Sequence, residues 1–159
     1  MKTLILYATK YGASKEIASR IAKKMDNATI CDIKRGEIPP LADFDCIIVG
    51  SSVYAGSIRK EAADFVNAND KILCEKTLGI FLSGIGADET SFSKNFPQNM
   101  LASVKSKVFL GGIFDPAKAN GFERLIMKMV TKQKGYMETI DDEAIVRFVA
   151  AINEGGAME

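Results

Sequence analysis

Two hydrophobic patterns alternate along this chain. Short apolar runs, rich in strand formers, occupy Lys2–Ala8, Ala28–Ile33, Asp45–Ser51, Thr77–Leu82 and Lys107–Gly112. Runs that stay apolar at consecutive positions predict strands covered on both faces, as in a parallel sheet. Between them the apolar positions recur at helical spacing. One such set is Ile17, Ala18, Ile21, Ala22 and Met25; another is Ala62, Phe65 and Val66. Pro97 suits the first position of a helix reaching about Val104. Two helices are expected after the fifth strand. Phe122, Leu125, Ile126, Met129 and Val130 mark the first; Ile145, Phe148, Val149 and Ile152 mark the second, opened by Asp141 and Asp142.

The intervening segments read as connections. Lys34–Asp43 carries Gly36, Pro39 and Pro40 and is turn-rich. Residues 87–96 are polar and irregular, the pattern of a mobile flap, and Asp115–Gly121 is a loop. Asn153–Glu159 is a polar, glycine-containing end expected to fray. Five buried strands alternating with helices predict a doubly wound α/β sheet, with right-handed crossovers placing helices on both faces. The expected strand order is 2-1-3-4-5, with one extra helix after strand five. A single domain is expected over 1–153, with 154–159 as a flexible tail.

Ligands in such sheets bind at the carboxyl ends of the strands, near the point where strand order reverses. Three loops rich in hydroxyl groups and glycine fall there: Thr9-Lys10-Tyr11-Gly12-Ala13-Ser14, Ser51-Ser52-Val53-Tyr54-Ala55-Gly56-Ser57 and Ser83-Gly84-Ile85-Gly86. They follow strands one, three and four, which are neighbours in the expected order. The first loop opens directly into a helix, whose unpaired N–H groups and positive dipole end suit a phosphate. Thr9 and Ser14 add hydroxyls, and Gly12 admits close backbone approach. On local structure alone, Ser14 also reads as a simple N-cap and Thr9 as a strand end. Tyr54 is either an aromatic platform or a loop tyrosine, and Gly84 and Gly86 either expose N–H groups or merely turn the chain.

Composition narrows the chemistry. The 159 residues are 47% apolar and 26% charged, with a formal net charge of +1, which provides no field for nucleic acid. There is no histidine, so the commonest general base and most transition-metal sites are missing. Cys31, Cys46 and Cys74 are scattered, which argues against a disulfide framework or a zinc site. The apolar start is too short for a signal peptide, and no run approaches the roughly 18 residues that span a bilayer. A soluble protein of a reducing cytoplasm is expected.

The first loop lacks both G-x-x-x-x-G-K-[ST] and G-x-G-x-x-G, so neither a triphosphate loop nor a dinucleotide fold is expected. A phospho-receiver domain would need carboxylates where Thr9-Lys10 and Ser51-Ser52 stand. Thr9-Lys10-Tyr11-Gly12-Ala13-Ser14 instead resembles the phosphate loop of flavodoxins, with Tyr11 where threonine is usual and Ser14 in place of threonine. The resemblance implies a flavodoxin-like three-layer sandwich in which residues 9–14 wrap the phosphate of FMN. By the same resemblance Ser51–Gly56 and Ser83–Gly86 hold the isoalloxazine ring, and a peptide near Gly56 can rotate toward the N5 hydrogen of the reduced flavin. The cofactor would carry the electrons, so no acid or base is needed beside it.

Two features depart from a simple electron carrier: the near-neutral charge and the extra helix. From Lys118 to Lys134 the basic residues are Lys118, Arg124, Lys128, Lys132 and Lys134, against Glu123 alone. A basic amphipathic helix of this kind can rest on an anionic membrane; it can equally pack on the sheet and leave a solvated basic face. Met1-Lys-Thr-Leu-Ile-Leu6, Gly50-Ser-Ser52, Gly111-Gly112 and Phe122-Glu-Arg-Leu-Ile-Met-Lys-Met129 are similar to the menaquinone-dependent protoporphyrinogen dehydrogenases of flavodoxin type. Three functions are therefore carried forward. One is an FMN redox protein working with a partner protein; another is an FMN enzyme linked to a quinone and a membrane; the third is a flavin-free interaction domain.

Overall fold

A computed structural model describes residues 1–84, 88–118, 121, 124–125, 128–129 and 135–154. Its centre is a sheet of five parallel strands. β1 (Thr3–Ala8) pairs with β2 (Ala28–Asp32) on one side and β3 (Cys46–Tyr54) on the other; β5 (Thr77–Ser83) and β6 (Ser106–Phe109) follow. A short β4 (Ser57–Ile58) folds back antiparallel on the end of β3. Discounting it, the order is the expected 2-1-3-4-5.

The unbroken apolar runs resolve into two faces by strand alternation. Leu4, Leu6, Ala8, Ile47, Val49, Leu78, Ile80 and Leu82 point into one core. That core is closed by α2 (Lys60–Ala68), α3 (Asp70–Glu75), α4 (Thr90–Asn95) and α5 (Gln98–Ser103), through Ala62, Phe65, Leu73, Phe92 and Met100. Ile5, Tyr7, Cys46, Ile48 and Phe81 point into the other core. There α1 (Ala13–Ala22) supplies Ile17, Ala18 and Ile21, and α6 (Asp142–Glu154) supplies Ile145, Phe148, Val149 and Ile152. Asp141 caps α6 by accepting the Ala144 N–H at 2.9 Å.

Several expectations need correction. Within the expected flap at 87–96, the described residues 88–96 are not irregular: α4 forms there because Phe92 and Phe96 bury their rings in the core. The loop expected at Ser52–Ser57 is largely a hairpin. β3 runs on to Tyr54, since β4 satisfies its backbone through the register Val53↔Ile58 and Tyr54↔Ser57. Pro97 stands just outside α5 as its N-cap. The fifth parallel strand ends at Phe109, and a ribbon of β7 (Ile113–Phe114) and β8 (Met137–Glu138) follows, which the hydrophobic pattern does not signal. Gly121, Arg124, Leu125, Lys128 and Met129 are helical, and Leu125 and Met129 are 54% and 73% exposed rather than packed on the sheet. Phe122, Ile126, Val130, Lys132, Lys134 and residues 155–159 of the tail lie outside the described residues.

Candidate functional site

The carboxyl ends of β1, β3 and β5 lie side by side, with Ala8 in register with Ser51 and Ser52 with Ser83. Their three loops therefore share one edge of the sheet. Gly12, at φ 100°, is the N-cap of α1, a left-handed conformation that glycine adopts without steric cost. Nothing lies within 4 Å of where its Cβ would stand, so the space before the helix is open. The first intrahelical bond runs from the Glu16 N–H to the Gly12 carbonyl. The amides of Ala13, Ser14 and Lys15 precede it, and they head the positive end of the helix dipole.

The two hydroxyls of this loop take different roles from those the sequence pattern predicts. Thr9 Oγ1 accepts the Gly12 N–H at 2.8 Å, which shapes the loop and leaves its own O–H to donate. Ser14 is not the N-cap. It sits in the first turn of α1, fully buried, with Oγ 2.8 Å from Ser83 Oγ. That contact ties the first loop to the third. Ser52 Oγ, on the same face of the sheet as Ser83, is buried without a hydrogen-bond partner. Leaving a hydroxyl so costs about 1–3 kcal/mol, which a polar ligand group here would relieve.

The second loop presents Tyr54, Ala55 and Gly56 at the hairpin tip. Ala55 and Gly56 have φ of 50° and 82°, the two left-handed residues of a tight hairpin turn. Tyr54 is 43% exposed, and Lys10 Nζ lies 4.6 Å from its ring centre and 5.1 Å from that of Tyr11. Ser51 Oγ, by contrast, faces inward: it accepts the Arg59 N–H at 3.0 Å and donates to the Ser52 carbonyl. Val53 lies partly buried against the helical core. In the third loop Gly84, at φ 148°, donates its N–H to the Gly111 carbonyl at 2.9 Å, so this backbone is tied to the segment after β6. Ile85 and Gly86 lie outside the described residues.

Residue 95 was missed by sequence reasoning. The Asn95 amide reaches the hairpin tip from α4, donating to the Gly56 carbonyl at 2.9 Å and accepting the Ile58 N–H at 3.1 Å. An asparagine in a polar stretch carries no signal for such a contact. Among the described residues no group of histidine, cysteine, aspartate or glutamate could hold a metal ion.

A flavodoxin-domain family model matches residues 4–141. The chain belongs to the flavodoxin family. Among curated relatives it is similar to protoporphyrinogen IX dehydrogenase [quinone] of Escherichia coli K12, at 22% identity over 85% of this chain and 81% of that protein. Among solved structures it is similar to a short-chain flavodoxin associated with a non-canonical PDU bacterial microcompartment. There the TM-score is 0.65 and the identity 20%, over 99% of this chain and 100% of that one. A flavoprotein of Lactobacillus acidophilus solved in complex with FMN gives a TM-score of 0.53 at 14% identity, over 69% of this chain and 91% of that chain. At these identities the structural neighbours carry the fold.

The site of this chain fits a phosphorylated, flat cofactor on its own features. The helix end is open at Gly12, the Ser52 hydroxyl lacks a partner, and the exposed Tyr54 ring provides an aromatic face beside the Lys10 ammonium.

Proposed function

We propose that this chain binds FMN at the shared edge of β1, β3 and β5 and works as a redox protein through it. The observation that carries the reading is the joining of the first and third loops by Ser14 and Ser83 in front of an open helix N-terminus. The amides of Ala13 to Lys15 and the Thr9 hydroxyl are assigned to the phosphate, with Gly12 giving the backbone its close approach and Lys10 adding positive charge. Ser14 contributes its amide, while its hydroxyl holds Ser83. Tyr54 and the Ala55–Gly56 turn are assigned to one side of the isoalloxazine ring, and residues 85–86, which follow the tied Gly84 amide, to its polar edge. Bound FMN supplies one- and two-electron chemistry; the protein binds, orients and shields it.

Absorption spectroscopy with added FMN tests this. The purified chain is expected to take up one equivalent and show flavin bands. Gly12→Asp is expected to abolish uptake, because the carboxylate repels a phosphate and the side chain strains a backbone at φ 100°. No uptake by the parent chain, or unchanged affinity in Gly12→Asp, overturns the assignment.

A second reading is an FMN enzyme that passes electrons to a quinone at a membrane surface. It is favoured by the exposed Leu125 and Met129, one helical turn apart and next in the chain to Arg124 and Lys128. An apolar surface with basic neighbours is the pattern of an interfacial helix. A protoporphyrinogen substrate, as in the Escherichia coli relative, belongs to this reading. Among the described residues no helix is long and apolar enough to cross a membrane.

A further inference from the structure

The hairpin tip at Ala55–Gly56 is held from outside its own strand pair. Asn95, the last residue of α4, makes three hydrogen bonds with its amide. Nδ2 donates to the Gly56 carbonyl at 2.9 Å and to the Ser91 carbonyl at 2.7 Å, and Oδ1 accepts the Ile58 N–H at 3.1 Å. The bond to Ser91 fixes the side chain on its own helix, so the other two transmit the position of α4 to the turn. The helix is itself anchored: Phe92 is buried to 1% exposure, Phe96 to 5%, and Ser91 to 4%. The turn needs such support. Ala55 adopts φ 50°, a left-handed conformation that costs a residue with a Cβ roughly 1–2 kcal/mol. The space around the Gly56 Cβ position is open, so packing does not fix that residue.

From this geometry we infer that Asn95 is a positioning residue for the flavin: it sets the orientation of the Gly56 carbonyl and so the relative affinity of the site for oxidised and reduced FMN. The inference rests on the FMN reading above. Reduced isoalloxazine carries additional N–H hydrogen, so a free carbonyl at the tip favours the reduced ring. In this structure the Gly56 carbonyl accepts from Asn95, so turning that peptide toward a ligand would break this bond. Asn95 therefore biases the site toward the oxidised cofactor. It also joins the hairpin tip to α4.

The test uses the full chain with FMN, the parent against Asn95→Ala and Asn95→Asp. Asn95→Asp keeps the acceptor for Ile58 and loses the donors to Gly56 and Ser91, so it separates those two contacts from the Ile58 bond and guards against a poorly folded alanine variant. Affinities are measured for oxidised FMN and, under anaerobic reduction, for reduced FMN. Amide exchange of Ile58 in the FMN-free protein reads the clamp without the cofactor. The ratio of the oxidised to the reduced dissociation constant is expected to rise about three- to tenfold in both variants, the equilibrium equivalent of one net hydrogen bond. Ile58 exchange is expected to quicken in Asn95→Ala only. A ratio that is unchanged or lower in both variants, with FMN still bound, overturns the inference and leaves the FMN reading standing. Failure of the parent chain to take up FMN overturns both.

Discussion

Gly50 has no room for a methyl group. A Cβ there would stand 1.9 Å from Phe81 Cζ, because the Phe81 ring fills the space across its registered partner. Gly50→Ala must push aside a fully buried ring, and overpacking of this kind costs about 1–3 kcal/mol. A loss of unfolding free energy of that size, read from urea unfolding, is expected; an unchanged midpoint would show that the ring has somewhere to go. The same scale governs Cys46, whose thiol burial pushes up to about 11, the behaviour of a small core residue. Its role was legible in the sequence because it lies inside an apolar run. The roles of Thr9 and Ser14 were legible only as chemistry. Both carry hydroxyls in the right loop, but which one faces the helix mouth and which one binds Ser83 depends on a strand 69 residues away from Ser14.

At the scale of elements, α4 shows how tertiary burial overrides a polar sequence. Two phenylalanines suffice to dock a helix over Thr90–Asn95, and Asp88 begins it by accepting the Thr90 N–H at 2.9 Å and the Thr90 hydroxyl at 2.6 Å. The Thr90 hydroxyl, and then its amide, hold the Asp88 carboxyl below the ordinary aspartate value of 3.8. A carboxyl lowered by folding stabilises the folded state above the unfolded value, and that stabilisation is lost as pH falls through the folded one. Protection of the Thr90 amide should therefore persist at pH 5 to 7 and disappear below 3.8. Asp88→Asn should remove that pH dependence; loss of protection at the same pH in Asp88→Asn would assign it elsewhere. The β7–β8 ribbon was illegible for a related reason. Each strand is two residues long, and it is held by contacts that no local pattern reports. Gly111 approaches so closely that its Cβ would lie 2.0 Å from the Thr139 carbonyl, and Arg20 of α1 pairs with both Glu138 and Asp142.

At the scale of the molecule, two surfaces distinguish the readings. The sheet edge carries the assigned cofactor site; Leu125 and Met129 are apolar and exposed, and Arg124 and Lys128 precede them in the chain. If the second surface serves a membrane quinone, the FMN-loaded chain should sediment with vesicles containing anionic lipid and should release them at high salt, since screening weakens the basic contribution. It should also be reoxidised faster by a quinone in those vesicles than by a soluble protein acceptor. Absence of both effects favours the carrier.

The sequence by itself determined the five buried strands, the covering helices α1, α2, α5 and α6, and the edge where the three loops meet. Apolar periodicity is a local property, and it dictates which segments must be covered and on how many faces. Tertiary structure alone decided what each loop residue does there. Asn95 reaches the hairpin tip, Ser14 turns to Ser83, Gly111 closes on Thr139 and α4 forms over its phenylalanines because segments distant in sequence meet at one end of the sheet. Hydrogen bonds and close approaches depend on distances in space, and a chain's local pattern does not encode which distant partner will complete them.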